Sequence, residues 1–243
     1  MQISFCTTES QVEIKLKHNT TYKVSYLIFV FMENPVIIFG AQYLGRAAKE
    51  IFEDNQVVVY GFLDDNKKNH NQELDEVLVL GSTDDMDFLK LIGKKCSAFV
   101  AFDDNRLRKG TVKMLNDQMK VQPVNAIHSK SLISPRATIG HGNYVGYGVV
   151  LSTASKVGSH GIFHTKATIG VEAQLGDFVQ VGVGSSIGPG AVVEEEVFIG
   201  DGATIVAGVT IGKGARIGAG SVVIAPVGAG ETVFGNPAQK VKA

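Results

Sequence analysis

A parallel β-helix following a small doubly wound α/β domain is the fold class this sequence predicts, on three observations. An aliphatic or Phe residue recurs at every sixth position from Ile127 to Val223, seventeen times without a miss. A small or β-branched residue usually stands two positions earlier, as at Ala137, Ser155, Ala167, Ala173, Ser185, Ala203 and Ser221. Ahead of the repeat, residues 32–122 alternate short apolar runs with helical patterns.

A fixed hexapeptide period is the signature of a parallel β-helix. Six is neither the helical 3.6 nor a strand alternation of two. Each hexad supplies one short strand, with the small and the aliphatic residue pointing inward. Gly follows the aliphatic residue at Gly140, Gly146, Gly170, Gly188 and Gly212. It reads as the turn residue, because glycine reaches backbone angles that other residues resist. Three hexads close a triangular coil, and strands spaced roughly 4.8 Å apart make a prism about 27 Å long. A β-sandwich has no reason to hold one register through so many repeats.

The α/β elements follow in order. Val36-Ile37-Ile38-Phe39 is a buried strand run ended by Gly40, and Arg46 to Asp54 reads as a helix. Val57 to Phe62 is the next strand, closed by Leu63-Asp64-Asp65-Asn66. A strand over Val77 to Leu80, a helix near Asp84–Leu91, a strand over Ala98 to Phe102 and a helix near Arg106–Met119 complete the set. This β-α-β-α order describes a small doubly wound sheet. Ligands of such sheets sit beyond the carboxyl ends of the strands. That places the candidates in Gly40 to Gly45, Asp64-Asp65 and Asp103-Asp104-Asn105. A dinucleotide reading is weak, since Gly40-Ala41-Gln42-Tyr43-Leu44-Gly45 lacks the central Gly that admits a pyrophosphate. An acid at Asp64 suits a ribose, but it is also ordinary turn chemistry.

Composition narrows the class further. The 243-residue chain has a net charge of −1, so it carries no electrostatic footprint for nucleic acid. Two cysteines, Cys6 and Cys96, give no disulfide framework and fit a reducing, cytoplasmic compartment. No apolar run reaches the 18 or so residues of a membrane span, and no His/Cys/Asp cluster has metal-ligand spacing. Residues 1–31 lack a signal-peptide layout. The apolar run Tyr26 to Phe31 is too short to cross a bilayer, and Asn19-Thr20-Thr21 is a glycosylation sequon without meaning in a cytoplasmic protein. Met32 is expected to begin the first domain, with residues 1–31 an upstream extension; the alternative is an extra strand on the domain edge. The expected divisions are 1–31, 32–122 and 123–243.

Together these parts resemble one family. The motifs are Gly61-Phe62-Leu63-Asp64-Asp65, Asp104-Asn105-Arg106, Ile127-His128, Leu175-Gly176-Asp177-Phe178-Val179 and the closing Val233-Phe234-Gly235-Asn236-Pro237-Ala238. Across residues 35–241 the chain resembles the sialic acid O-acetyltransferase and UDP-4-amino-sugar N-acetyltransferase family of hexapeptide-repeat acyltransferases. The resemblance implies a Rossmann-like N-terminal domain holding a sugar nucleotide, a left-handed parallel β-helix, a homotrimer, and acetyl-CoA in the cleft between adjacent prisms. It implies CoA contacts near Gln180, Gly188, Pro189, Asp201 and Ala219, mostly through backbone atoms. On this reading Gly188→Trp should fill the cleft with little loss of stability. Acceptor contacts fall on Gly40, Gln42, Tyr43, Asp64 and Asp65.

The chain departs from the family where the chemistry lies. The family base is a His oriented by a carboxylate, suited to the task by a pKa near neutral. Its position is Val171, followed by Glu172. A second family His is Gln180, and the family's Ser-Gly-His after Gly-Ala is Gln42-Tyr43-Leu44. Glu172 is the candidate base, because a carboxylate can serve when its pKa is raised. His164 lies roughly 20 Å from Val171 along the chain path, and a trimer could bring it near from a neighbour. His128, Gly146, His164 and Gly182 share one column, with His141 and His160 on others; each His alone reads as a solvated turn residue. Glu194-Glu195-Glu196 reads as a solvated turn too.

Two functions from different classes follow. One is an acetyl-CoA-dependent acyltransferase acting on a sugar nucleotide or related small acceptor. The other is a catalytically silent trimeric binding or scaffold protein of the same fold, since fold alone does not establish function. A nicotinamide-linked enzyme is the weaker third.

Overall fold

The computed structural model describes residues 7–15, 21–29 and 34–241. The chain forms two compact units, 1–33 and 34–243. In the first, β1 (Thr7–Lys15) and β2 (Thr21–Phe29) make a two-stranded antiparallel sheet of their own. Met32, Asn19 and Cys6 lie outside the described residues.

The second unit begins with the α/β sheet. β3 (Val36–Phe39) leads into α1 (Tyr43–Asp54), β4 (Val59–Leu63), the short β5 (Glu73–Leu74) and β6 (Val77–Gly81). α2 (Met86–Leu89), β7 (Ser97–Val100) and α3 (Asn105–Met114) follow. The strand order is β5-β6-β4-β3-β7, parallel except for β5. All four residues of β3 are buried, as a strand covered on both faces requires. α1 starts three residues earlier than the sequence pattern indicates, directly after the loop from β3. α3 is capped by Asp104, whose carboxylate accepts from the amides of Arg106 and Leu107 at 2.7 and 3.0 Å. These bonds hold the Asp104 carboxyl below the usual carboxylate range. The last predicted helix divides, α3 passing into a π-helical turn at Leu115–Met119 that Lys120 ends in the left-handed conformation.

The hexads build a three-faced parallel β-helix. Strands at 126, 144, 162, 180, 198 and 216 form the first face, those at 132, 150, 168, 186, 204 and 222 the second, and those at 138, 156, 174, 192 and 210 the third. Coils pair with a stagger of 18 residues, as in Val145↔Phe163↔Val181 and Ile169↔Ile187↔Ile205. The final turn is two residues shorter, pairing Ile217 with Val233, and a hairpin of Thr232–Gly235 with Ala238–Lys240 closes that end. The interior is one apolar column containing Leu151, Phe163, Ile169, Val181, Ile187 and Ile199. Its polar intruders are satisfied. Ser185 Oγ donates to the Gly200 carbonyl, and Asn143 bonds the backbone of Gly158 and Gly161.

The turn assignment needs correction. The left-handed residue at each corner is the third after the inward aliphatic residue, not the Gly immediately following it. Fourteen successive corners from Gly142 to Gly220 have φ between 58° and 71° there. Six of them are not glycine: Ala154, His160, Lys166, Glu172, Phe178 and Glu196. The Gly after the aliphatic residue is required by crowding instead. A Cβ on Gly170 would meet the Ile187 carbonyl oxygen at 2.7 Å, and one on Gly212 the Ala229 amide at 2.5 Å. Coils stacked at strand spacing leave no room for a side chain there.

The α/β sheet and the prism share a core. Ala126, Tyr144 and Ile162 point outward from the first face and pack with Val36, Leu44, Ile51 and Phe99. Where α3 meets the corners between the third and first faces, Lys109 bridges to Glu196 at 2.7 Å and lies over the Phe178 ring. Glu196 is thus a docking contact of a run expected to be wholly solvated. His160 is 6% exposed and stacked on Phe178 at 5.0 Å. Burial pulls its pKa down to about 4. The unfolded chain protonates this ring below its ordinary pKa of 6.5, while the folded chain refuses the proton until about 4. Stability is therefore expected to fall by up to about 3 kcal/mol as pH drops through that window. Urea midpoints measured from pH 7 to 4 should show this slope, and His160→Asn should flatten it.

Candidate active site

The strand order reverses at β3, which has β4 on one side and β7 on the other. The crevice beyond its carboxyl end is where such sheets take ligands. It holds a small cavity of about 90 Å³ lined by Gly40, Gln42, Tyr43, Ala101, Asp103 and Leu107. Gly40 has φ +99°, and a Cβ there would press on the Ala101 carbonyl at 3.0 Å. A Cβ on Gly45 would collide with the Gly40 carbonyl, so this glycine lets α1 start hard against the strand.

The acids predicted at this site divide. Asp64 is 4% exposed and both its oxygens are occupied, by the amides of Ala41 and Asn66 at 2.8 Å each. Asp65 accepts from the amide and hydroxyl of Thr83, both at 2.9 Å. These two residues shape the loops, and Asp64 supports the pocket through Ala41. The acid in the crevice is Asp103. Its carboxylate accepts from the Tyr43 hydroxyl at 2.5 Å. Burial and this bond push the phenol up to about 12, so Tyr43 remains a donor at neutral pH.

Asp103 also ties the pocket to the prism. Its carbonyl accepts from Gln180 Nε2 at 2.5 Å and Arg108 Nη1 at 3.1 Å. Arg108 is 1% exposed. It also donates to the carbonyls of Phe102 at 2.6 Å and His160 at 3.1 Å, and to Asn105 Oδ1. Burial without a contacting carboxylate lowers its pKa to about 10, which still leaves it charged at neutral pH. The Gln180 side chain thus joins the prism to the crevice loop. It is 7% exposed and committed to the Asp103 carbonyl. Arg108 carries a signal in the sequence itself. It shares one helical stripe with the buried Val112 and Leu115, and a cation on an apolar stripe marks a buried polar junction.

Val171 and Glu172 stand elsewhere, on the corner between the second and third faces. Ile169 is fully buried, Gly170 follows, and the Val171 side chain is 45% exposed. Neighbouring coils hold this corner, through the Gly190 amide to the Val171 carbonyl at 2.9 Å and the Glu172 amide to the Thr153 carbonyl at 3.1 Å. Beside Val171 an open groove of about 540 Å³ runs over Leu132, Val150, Ser152 and Thr153. Gly188 and Pro189 lie on the same corner, one coil on. Asp201 and Ala219 lie on the corner between the first and second faces, below His164 in the same direction. One chain therefore does not gather the expected cofactor residues into a single surface. Gly188→Trp also loses its basis, because a Cβ there already meets the Ala207 amide at 2.5 Å and the Ile205 carbonyl at 2.8 Å. That variant would displace the next coil. Among the described residues there is no group of three acidic, His or Cys side chains able to hold a metal.

The α/β crevice is thus fastened to a hexapeptide prism through Gln180 and Arg108. Residues 35–115 match the PglD N-terminal domain, and residues 190–225 match the bacterial transferase hexapeptide family of six repeats. A histidine-to-asparagine variant of perosamine N-acetyltransferase from Caulobacter crescentus, in complex with CoA and GDP-perosamine, is 30% identical. The similarity covers 86% of this chain and 97% of that one, with a TM-score of 0.80. The acetyltransferase domain of PglB from Neisseria gonorrhoeae, in complex with acetyl coenzyme A, shares the fold at 24% identity and a TM-score of 0.77, over 86% and 99% of the two chains. No curated protein sequence matches significantly. The chain belongs to the hexapeptide-repeat acyltransferase family.

Proposed function

We propose that this protein transfers an acetyl group from acetyl-CoA to the amine of a nucleotide-linked amino sugar. The observation that carries this reading is the crevice beside Tyr43 and Asp103, fixed to the prism through Gln180 and Arg108. It accompanies a likeness to a GDP-perosamine-binding N-acetyltransferase that spans both the α/β sheet and the prism. The sugar would enter over Gly40, Gln42 and Tyr43, and the thioester would approach along the corners bearing Gly188, Pro189, Asp201 and Ala219.

A homotrimer is part of the proposal. The large exposed apolar side chains of the prism gather on the second face and its two corners: Leu132, Tyr147, Val171, Val183, Val206 and Ile224. Exposed apolar side chains concentrated on one side of a prism invite a partner surface. A second copy placed there would bring the Val171 corner of one chain to the His164 corner of another. No described helix is long and apolar enough to cross a membrane.

One observation favours a second reading, a trimeric binding protein without chemistry: Val171 cannot take a proton. The test is incubation of the purified chain with acetyl-CoA and a panel of GDP- and UDP-linked 4-amino sugars, following thiol release and acetylated product. Equal amounts of both, dependent on one acceptor, support the transferase. Binding of both ligands by calorimetry without transfer supports the silent protein. Sedimentation equilibrium giving a monomer at micromolar concentration would remove the inter-subunit cleft from either reading.

A further inference from the structure

We propose that His164 is the general base of this chain, so that the proton acceptor sits on the corner beside the α/β crevice and not at position 171. The inference rests on the transferase reading above.

Elimination among the described histidines comes first. His70 is engaged with the Asp64 carbonyl at 2.7 Å. His128 Nδ1 takes the Lys130 amide at 3.0 Å, and its ring meets Tyr147 edge-on at 5.3 Å. His160 is sealed under Phe178. His141 stands on the corner between the third and first faces, lining a cavity beneath α3. The rings of His141 and His160 also make no hydrogen bond among the described residues, and His164 differs from them in standing on the corner after the first-face strand. It ends the first-face strand Ile162–Phe163, half-buried, with its ring 6.1 Å from that of Tyr144. Its imidazole makes no hydrogen bond within the described chain.

Position supplies the second argument. Ile162, two residues before, is packed into the α/β core. On the strand stacked against it, Gln180 bonds the Asp103 carbonyl. His164 therefore stands where the prism meets the loop whose carboxylate holds Tyr43 in the crevice. The coils on either side place Gly146 and Gly182 in its column, so the two stacked positions carry no side chain of their own, and Asp201 lies against Gly182. The charged groups facing it are Asp103 of the β7–α3 loop and Asp201 of the corner beyond Gly182, with Tyr144 the titratable neighbour on its own face. Burial outweighs the two carboxylates and lowers the imidazole pKa below its ordinary value. The ring is thus neutral, and able to accept a proton, at pH 7.

The step balances without another reactant. The acceptor nitrogen attacks the thioester carbonyl carbon and a C–N bond forms. The amine proton passes to the His164 imidazole. The tetrahedral intermediate then collapses, the C–S bond breaks with its electron pair on sulfur, and the imidazolium returns the proton to give the free thiol.

The test uses the full-length chain. His164→Asn should lower kcat by about 10²–10⁴-fold, with KM for both substrates little changed, and should remove the acid limb of the kcat/KM profile. A thermal melt like that of the wild type shows that the fold is kept. An active wild type whose His164→Asn variant keeps its kcat, with Glu172→Gln inactive, overturns this inference and leaves the transferase reading standing. A wild type that transfers nothing to any acceptor overturns both. NMR of ¹³C-His protein gives a readout independent of turnover, with the His164 signal identified by its loss in His164→Asn. That signal should titrate below 6.5 and shift when a nucleotide-linked amino sugar is added. A ring titrating at 6.5 and indifferent to the sugar overturns the inference.

Discussion

Ile187→Asp is expected to abolish folding of the prism. Ile187 is 2% exposed and lies between Ile169 and Ile205 in one inward column. Among the described residues no cation lies in that apolar column, so the carboxylate would be buried unpaired or forced to take up a proton. Either route costs several kcal/mol or so, a large share of the roughly 5–15 kcal/mol that holds a domain together. Ile187→Val, which removes one methyl, should cost only about 0.5–1.5 kcal/mol. Soluble yield and the far-ultraviolet melting curve separate the two variants. An aspartate variant that melts like the wild type would contradict the inward register.

Val171→His should restore chemistry to a His164→Asn chain. Its side chain stands in solvent on the corner next to Glu172, so stability should change by no more than about 0.5 kcal/mol. In the His164→Asn background it offers a new imidazole beside a carboxylate able to orient it. If the corners of two copies meet across the cleft, kcat should recover by about 10²-fold or more, within the range of general-base catalysis. Initial rates of the single and double variants measure this. A double variant as slow as His164→Asn alone would place the two corners in different sites.

The two halves of the molecule were unequally legible in the sequence. The prism was open to reading because its inward positions obey one rule at every coil, and a side chain at position 169 or 187 has one environment. The corners are ambiguous in the sequence because glycine serves two purposes in Gly-x-Gly hexads. The first glycine, as at Gly188, makes room for the coil above, while the second, as at Gly190, adopts the left-handed angle. Periodicity locates both and cannot say which does which. The α/β crevice was located from strand order alone, yet the junction beneath it was not. Arg108, Gln180 and His160 come from separated segments, and each alone looks like a surface residue. Asp64 and Asp65 are acids after a strand, and neighbouring loops take both oxygens of Asp64 and Oδ1 of Asp65.

The six corners that carry a side chain in the left-handed conformation have a broader consequence. Five are consecutive, Ala154 to Phe178, and they flank both Val171 and His164. A non-glycine residue there costs roughly 1–2 kcal/mol, yet the coil path is unchanged from one corner to the next. The prism therefore works as a lattice of equivalent addresses, set apart by one strand spacing along its axis and one face around it. Inward residues fix the lattice, and outward residues are free to trade places on it. A reactive group lost at one address can be regained at another without a change of backbone, which makes activity in this architecture transferable between corners by single substitutions.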